Sequence, residues 1–280
     1  MHASWGIWQA IVMSLSIATW NINSVRLRID SVVRFLMEKQ PDVLCLQETK
    51  CPQGQFPAGP LKELGYGHIA EFGQKGYHGV AIVSRLPFVA SHSKSFCGKD
   101  DCRHIATRFE SPSKFVLHNY YIPAGGDEAD PVINEKFDHK LKFLAEMETW
   151  SGTEAQVPGF GCVVVGDLNI APLEHDVWSH KDLVKVVSHT PVEVEALNRI
   201  RATGQWEDLM RKVIPPTEKL YTWWSYRAKD WNQANKGRRL DHVWASPEFS
   251  AALSGIEVVR ETRGWTQPSD HVPVIARFTI

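Results

Sequence analysis

The chain alternates between short apolar runs that stop at polar clusters and longer stretches with helical spacing. Gly161-Cys162-Val163-Val164-Val165 reads as a strand buried on both faces, because apolar, mostly β-branched residues follow one another without a polar interruption. It stops at Gly166, and Pro172 keeps it from continuing. Further strands are predicted at Ser14 to Asn21, Val43 to Gln47, Tyr66 to Glu71, Val80 to Arg85, Arg103 to Phe109, Lys114 to Tyr121, Leu240 to Ala245, and after Pro273. Helical spacing predicts a helix from a Ser24 cap to about Lys39, one over Pro131 to Trp150, and shorter ones around Pro191 to Ala202 and Trp206 to Val213. Strands and helices are interspersed without repeats, linker or composition break, so one α/β domain is expected over residues 14–280.

The polar clusters sit where strands end. Asp167 and Asn169 are two apart, so in an extended segment both side chains point the same way. A carboxylate beside a carboxamide suits a hard cation or a phosphate oxygen, and it equally suits an Asx-type turn that closes the strand. Asn21 and Asn23 repeat the spacing. Glu48 follows a buried strand, where a carboxylate is costly unless it is paired or holds a cation. Tyr121, Asp241 and the pair Asp270-His271 mark three more ends. A lone Asp-His pair is commonly structural, but this many clusters at strand ends are not easily explained by structure. Together they supply what phosphodiester hydrolysis needs: oxygen ligands for a cation, a base, donors for phosphate oxygens and help for the leaving oxygen.

Composition narrows this little. The 280 residues are 43% hydrophobic, enough for one large core, and no run approaches the roughly 18 apolar residues of a membrane span. Thirty-one basic against 32 acidic residues leave a net charge of −1, which decides nothing, since the acids of a metal site mask a basic face. Five cysteines are an odd number, two of them (Cys45, Cys162) lie in apolar runs, and Cys97 with Cys102 lacks a second zinc-type pair. A reducing, cytoplasmic location is expected. Residues 1–13 lack a basic n-region and an A-x-A-like cleavage site, and are expected to form an extension outside the fold.

Seven segments stand out together along the chain. They are Trp20-Asn21-Ile22-Asn23-Ser24-Val25-Arg26, Leu46-Gln47-Glu48-Thr49-Lys50, Lys75-Gly76-Tyr77-His78-Gly79-Val80-Ala81 and Tyr121-Ile122-Pro123 in the first half. Gly166-Asp167-Leu168-Asn169-Ile170-Ala171-Pro172, Arg239-Leu240-Asp241 and Ser269-Asp270-His271-Val272-Pro273 follow. From about Ser14 to its end the chain resembles the exonuclease III type of abasic-site endonucleases. The Glu48, Gly166 to Asn169 and Ser269 to His271 pieces are shared across the wider endonuclease/exonuclease/phosphatase superfamily, so a phosphomonoesterase of the inositol-phosphatase kind or a DNase I-like nuclease is the alternative. DNase I-like members carry a second catalytic histidine, for which His118 is the nearest candidate; Tyr121 matches the repair branch instead.

The resemblance implies a four-layered α/β sandwich of two packed mixed β-sheets flanked by helices, with the site at one edge. It implies Mg²⁺, with Mn²⁺ as a substitute, held by Glu48 with Asn21 nearby and Asp270 on or near the metal, in the company of Asp167, Asn169 and His271. It assigns Asp167 to the attacking water, Asn169 to a phosphate oxygen, His271 (oriented by Asp241) to the developing charge, and Tyr121 to the departing 3′ oxygen. The implied partner of this monomer is double-stranded DNA, cut 5′ to an abasic site or trimmed at a 3′ end.

Trp223, Trp224, Tyr226, Arg227, Lys229, Trp231, Lys236, Arg238 and Arg239 interleave rings with cations, a composition that stacks on bases or sugars and grips phosphates. The same composition describes an aromatic core strand beside a solvated loop. By the resemblance Trp223 lines the pocket of a flipped-out abasic sugar, and Arg26, Lys75, Arg227, Arg238 and Leu240 join it as DNA-facing residues. Two features depart from the family: Arg238 stands where a large apolar pocket residue is common, and Ala124 to Asp130 is unusually acidic for a DNA-facing loop.

Overall fold

The computed structural model describes residues 13–280. Residues 1–12, most of the expected extension, lie outside the described residues. Met13 exchanges backbone hydrogen bonds of 2.9 and 2.8 Å with Ile280. In chain order the strands are β1 Ser14–Asn21, β2 Val43–Gln47, β3 His68–Phe72, β4 Val80–Ser84, β5 Ala90–Ser93, β6 His104–Phe109 and β7 Phe115–Tyr121. They continue with β8 Gly161–Asp167, β9 Glu207–Asp208, β10 Trp223–Trp224, β11 Gly237–Arg238, β12 Asp241–Ala245, β13 Leu253–Val258 and β14 Val274–Thr279.

Two six-stranded sheets form, in the orders β13-β14-β1-β2-β4-β3 and β5-β6-β7-β8-β12-β9, and β10 with β11 makes a separate ribbon. Each sheet is mixed, with one parallel pair near its centre, β1 with β2 and β7 with β8. The alternation of side chains along the strands builds the layers. Ile17, Cys45 and Ile82 of the first sheet meet Leu117, Val163, Val165 and Val243 of the second in a shared core. The other face of the first sheet (Trp20, Leu44, Leu46) packs on Val32, Phe35 and Leu36 of helix Ile29–Lys39. The other face of the second (Tyr120, Val164, Trp244) packs on helices Glu135–Ser151 and Pro191–Thr203 through Phe143, Leu144, Met147 and Ile200. Helix, sheet, sheet, helix is the expected four-layered sandwich. The strand at β8 is buried on both faces because Val163 and Val165 point between the sheets while Cys162 and Val164 point to the helices.

One local expectation changes, and two edge strands are added. The first helix begins at Ile29, not at Ser24, because Ser24 has φ +86 and its N–H is taken by the Glu48 carbonyl at 2.7 Å. Arg26 and Arg28 therefore precede the helix, and Arg28 is buried, bonding the Asn23 and Gln267 carbonyls. Strands β5 and β13 have no counterpart in the sequence reading; both are sheet edges, and β5 is wholly exposed, so little apolar pattern marks them.

The topology carries the site. Both central parallel pairs end at the same edge, Asn21 beside Gln47 in one sheet and Tyr121 beside Asp167 in the other. The antiparallel β12 starts there, with Asp241 opposite Asp167. Gly166 makes the last turn of β8 possible: its φ is +137, and a Cβ would collide with the Tyr120 carbonyl oxygen.

Candidate active site

Asp167 and Asn169 do not stand side by side in extended backbone. Asn169 has φ +54, and its N–H donates to Asp167 Oδ1 at 3.0 Å. Asn23 repeats the arrangement, with φ +48 and an N–H bond of 3.1 Å to Asn21 Oδ1. Both strand ends thus close in an Asx-type turn, and the turn is compatible with chemistry because it consumes only one oxygen. Asp167 Oδ2 accepts from Asn21 Nδ2 at 2.9 Å and Asn169 Nδ2 at 3.1 Å, and His271 Nε2 lies 3.6 Å away. Asn169 Nδ2 also donates to the Ile122 carbonyl at 2.9 Å, which fixes its side chain.

His271 is held from every side. Its Nδ1 donates to Asp241 Oδ2 at 2.8 Å, its N–H donates to Ser269 Oγ, and its carbonyl accepts from Trp20 Nε1. Burial opposes a charged imidazole, but the Asp241 and Asp167 carboxylates outweigh it and raise His271 to about 10. Burial raises Asp167 to about 7, with the Asp241 charge adding to it and His271 opposing. The buried Asp167–His271–Asp241 group therefore keeps a proton on the imidazole. These three side chains offer ligand atoms within 4.8 Å of one another, but His271 could ligate a metal ion only after giving up that proton.

Glu48 also sits in left-handed backbone, at φ +48, directly after β2. Its Oε1 accepts from Asn21 Nδ2 at 2.9 Å and its Oε2 meets Lys50 Nζ at 2.9 Å. Burial works against its charge, yet Lys50 and the Asn21 bond keep the carboxyl below its usual range. Lys50 Nζ continues to Asn23 Oδ1 at 2.6 Å, and Asn23 Nδ2 donates to Asp270 Oδ1 at 3.1 Å. Asp270 Oδ2 accepts from Trp223 Nε1 at 3.0 Å. The donor set of Glu48, Asn23 and Asp270 is all oxygen, and an ammonium already lies between the first two, so it fits a hard cation. Burial and the charges of Glu48 and Asp167 keep the Tyr121 phenol protonated, well above its usual range.

A cavity of about 240 Å³ opens onto Glu48, Tyr121, Asp167, Asn169 and His271 on its floor and Trp223, Arg238 and Leu240 on its wall. A larger one of about 590 Å³ adjoins it across Tyr121, with Lys99, Arg103 and Lys136 among its cations. It holds none of the acidic site groups, so the smaller cavity is the candidate site. Arg26, Lys75 and Arg227 are exposed and lie outside both cavities.

The basic-aromatic segment divides. Trp223 and Arg238 face the cavity, whereas Trp224 is buried against Tyr221 and Val272. Arg239 is fully buried and paired with Asp176 at 2.9 Å and Asp208 at 2.7 Å. Neither Trp224 nor Arg239 can grip a nucleic acid, because core packing and an internal ion pair use them up. His118 is excluded as a catalytic histidine: it points to the helix-covered face of β7, against His104 Nε2 (3.1 Å) and the Ala155 carbonyl (3.0 Å).

Sequence reasoning missed the pair Lys140–Glu193, fully buried at 2.6 Å. Lys140 Nζ donates to the Asn169 carbonyl at 2.8 Å and the Ala124 carbonyl at 3.2 Å, while Glu193 accepts from Ser188 N–H and Thr190. The signals were a lysine in the apolar stripe of Phe137, Leu141 and Leu144, and the Thr190–Glu193 capping box.

The sequence matches the Endonuclease/Exonuclease/phosphatase family over residues 18–271. It is 28% identical over 269 residues to exodeoxyribonuclease III of Haemophilus influenzae, covering 93% of this chain and 98% of that protein. The fold superposes on an AP endonuclease from Archaeoglobus fulgidus with a TM-score of 0.86 and 31% identity, covering 95% of this chain and 100% of the other. A 3′-phosphatase from Neisseria, bound to a product DNA hairpin, gives 0.86 and 33%, covering 94% and 99%. The match over nearly the whole chain, with the acidic, amide and histidine groups gathered at one sheet edge, makes this chain a member of the Endonuclease/Exonuclease/phosphatase family.

Proposed function

We propose that this protein is a metal-dependent DNA repair phosphodiesterase of the exonuclease III kind, acting on double-stranded DNA at abasic sites and at 3′ ends. The observation that carries this reading is one small cavity in which Asp167, Asn169 and a charged His271 face Trp223, Arg238 and Leu240. A phosphatase of small phosphorylated alcohols has no need of an indole and a guanidinium on the cavity wall, whereas a deoxyribose or base edge packs on the first and a phosphate pairs with the second.

Asp167 Oδ2, ringed by Asn21, Asn169 and His271, accepts a proton of the attacking water and aims its oxygen at phosphorus. His271 donates from Nε2 to a non-bridging oxygen, with Asp241 fixing the ring and balancing its charge. Asn169 Nδ2, whose two N–H groups go to Asp167 Oδ2 and the Ile122 carbonyl, would give a second donor by releasing the Asp167 bond. Tyr121, kept as a phenol, protonates the departing 3′ oxygen. Glu48 and Asp270, oriented by Asn21 and Asn23, would hold Mg²⁺ (or Mn²⁺), which supplies positive charge against the phosphate. Arg26, Lys75 and Arg227 would follow the backbone away from the cut. The free cysteines fit a reducing, cytoplasmic setting, and residues 14–280 would act as one monomeric catalytic unit.

Two labelled duplexes test the reading, one with a single internal abasic-site analogue and one intact with a recessed 3′ end, each with Mg²⁺ and with a chelator. Metal-dependent cutting of either is expected. If neither is cut while an inositol phosphate loses phosphate, the nucleic-acid reading fails.

A further inference from the structure

The wall of the smaller cavity contains a cation built rigidly into place. Arg238 lies on β11, with its guanidinium 5.5 Å from the Trp223 ring centroid. One terminal nitrogen donates to the Val187 carbonyl at 3.0 Å and to Ser188 Oγ at 2.6 Å. The segment that carries these two acceptors is itself clamped, because the Ser188 N–H is bonded to buried Glu193, which is paired with buried Lys140. Lys140 in turn holds the Asn169 carbonyl, so the cation on the wall and the phosphate donor on the floor share one rigid support. The remaining donors of this guanidinium have no partner among the described residues, and Arg238 lines the same cavity as Asp167, Asn169 and His271.

What such a cation favours follows from the chemistry of the cut. When water attacks a phosphate on a 3′ oxygen it enters opposite that leaving oxygen, so the remaining substituent of the phosphorus lies to the side of this line, toward the wall of the cavity. In an abasic or intact strand that substituent is a neutral deoxyribose. In a 3′-terminal phosphate it is an anionic oxygen, and the group carries close to one negative charge more than the diester. A neutral sugar packs on apolar surface and leaves a half-buried guanidinium unpaired, whereas an anionic oxygen gains a charge-assisted hydrogen bond from it.

Resting on the function proposed above, we infer that Arg238 is the residue that sets substrate choice here, tilting the site toward 3′ ends that carry an anionic terminal group and away from the sugar of an internal abasic site. For the monoester the balance is simple. The water oxygen bonds to phosphorus as its proton passes to Asp167, the P–O3′ bond breaks with its electron pair, and O3′ takes a proton from Tyr121 to become a 3′ hydroxyl. Inorganic phosphate departs, and Asp167 and Tyr121 return to their starting protonation by exchange with solvent.

The test compares full-length wild type with Arg238→Leu, Arg238→Lys and Ser188→Ala on two duplexes of one sequence, one ending in a 3′-phosphate and one holding an internal abasic-site analogue. The readout is the ratio of kcat/KM for the two. Arg238→Leu is expected to move this ratio toward the abasic duplex by roughly 10- to 100-fold, the worth of a charge-assisted hydrogen bond. Arg238→Lys should restore part of it, and Ser188→Ala should move it in the same direction by a smaller factor. A ratio unchanged within about twofold in Arg238→Leu and Ser188→Ala overturns the inference. Titration of tryptophan fluorescence with 3′-phosphorylated and 3′-hydroxyl duplexes separates this from the proposed function. If wild type cuts neither duplex, that function fails. Equal affinity of wild type for the two ends would then overturn the inference as well, and tighter binding of the phosphorylated end that Arg238→Leu abolishes would uphold it.

Discussion

His271 Nδ1 donates to Asp241 Oδ2 at 2.8 Å, in a contact from which solvent is excluded on both sides. The two residues are 30 positions apart in sequence and belong to different sheets: Asp241 opens β12 of the second, and His271 lies just before β14 of the first. The bond therefore spans the sandwich and fixes the ring relative to Asp167.

Asp241→Asn keeps the shape of this contact and removes the charge that holds the proton on His271. The fold should survive, since Asp241 Oδ1 has no partner to lose. Turnover on a cleavable duplex is expected to fall on the order of 10²- to 10⁴-fold, the range seen when a histidine loses its orienting carboxylate. Steady-state kinetics beside a thermal melt check it; wild-type kcat would remove Asp241 from the mechanism.

Gly166→Ala places a methyl group against the Tyr120 carbonyl at a φ of +137, where no L residue is comfortable. Backbone cannot yield there without breaking the parallel register of Tyr120 with Gly166. A loss of roughly 3 kcal/mol or more is expected, measured by urea unfolding at constant m.

Lys140→Met alone leaves the Glu193 carboxylate buried and unpaired, at a cost of about 3–5 kcal/mol. Adding Glu193→Gln removes that charge while keeping an acceptor for the Ser188 and Thr190 donors, so the double variant should be more stable than the single one. A double-mutant cycle on denaturant midpoints reads this directly.

Acid should destabilise the protein well above the carboxylate range. Burial lowers His118 to about 3 and holds His104 well below its ordinary value, with the charges of neighbouring histidines adding to the effect on His104. Both are neutral in the folded state, while the unfolded chain binds their protons below about pH 6.5. Stability is thus intact above pH 6.5 and falls as pH drops toward the folded values, by up to roughly 1.4 kcal/mol per pH unit for each ring. Urea midpoints at pH 7 and pH 5 measure the slope. Replacing both rings by glutamine should flatten it, and an unchanged slope in that variant would assign the acid sensitivity to other groups.

Several of these features were legible before any coordinates. The run at Val163 to Val165 is buried on both faces as its unbroken β-branched pattern required, and Glu48, Tyr121, Asp167, Asn169, Asp270 and His271 do line one cavity. The edge strands β5 and β13 escaped because a half-exposed edge needs no apolar alternation. The helix start at Ile29 escaped because Ser24 is captured by the Glu48 carbonyl, a contact between segments that no local pattern encodes.

By itself the sequence determined most of the element types, the α/β class and which polar side chains stand at strand ends, since periodicity, glycine and the run of acidic and amide side chains are local properties. Only the tertiary structure decided what each side chain does. Arg238 and Arg239 are neighbours of the same charge, yet one lines the cavity over Trp223 and the other is buried on Asp176, 63 positions away. Successive side chains on an extended segment face opposite ways, and what waits on each side is set by distant segments that the fold alone brings near.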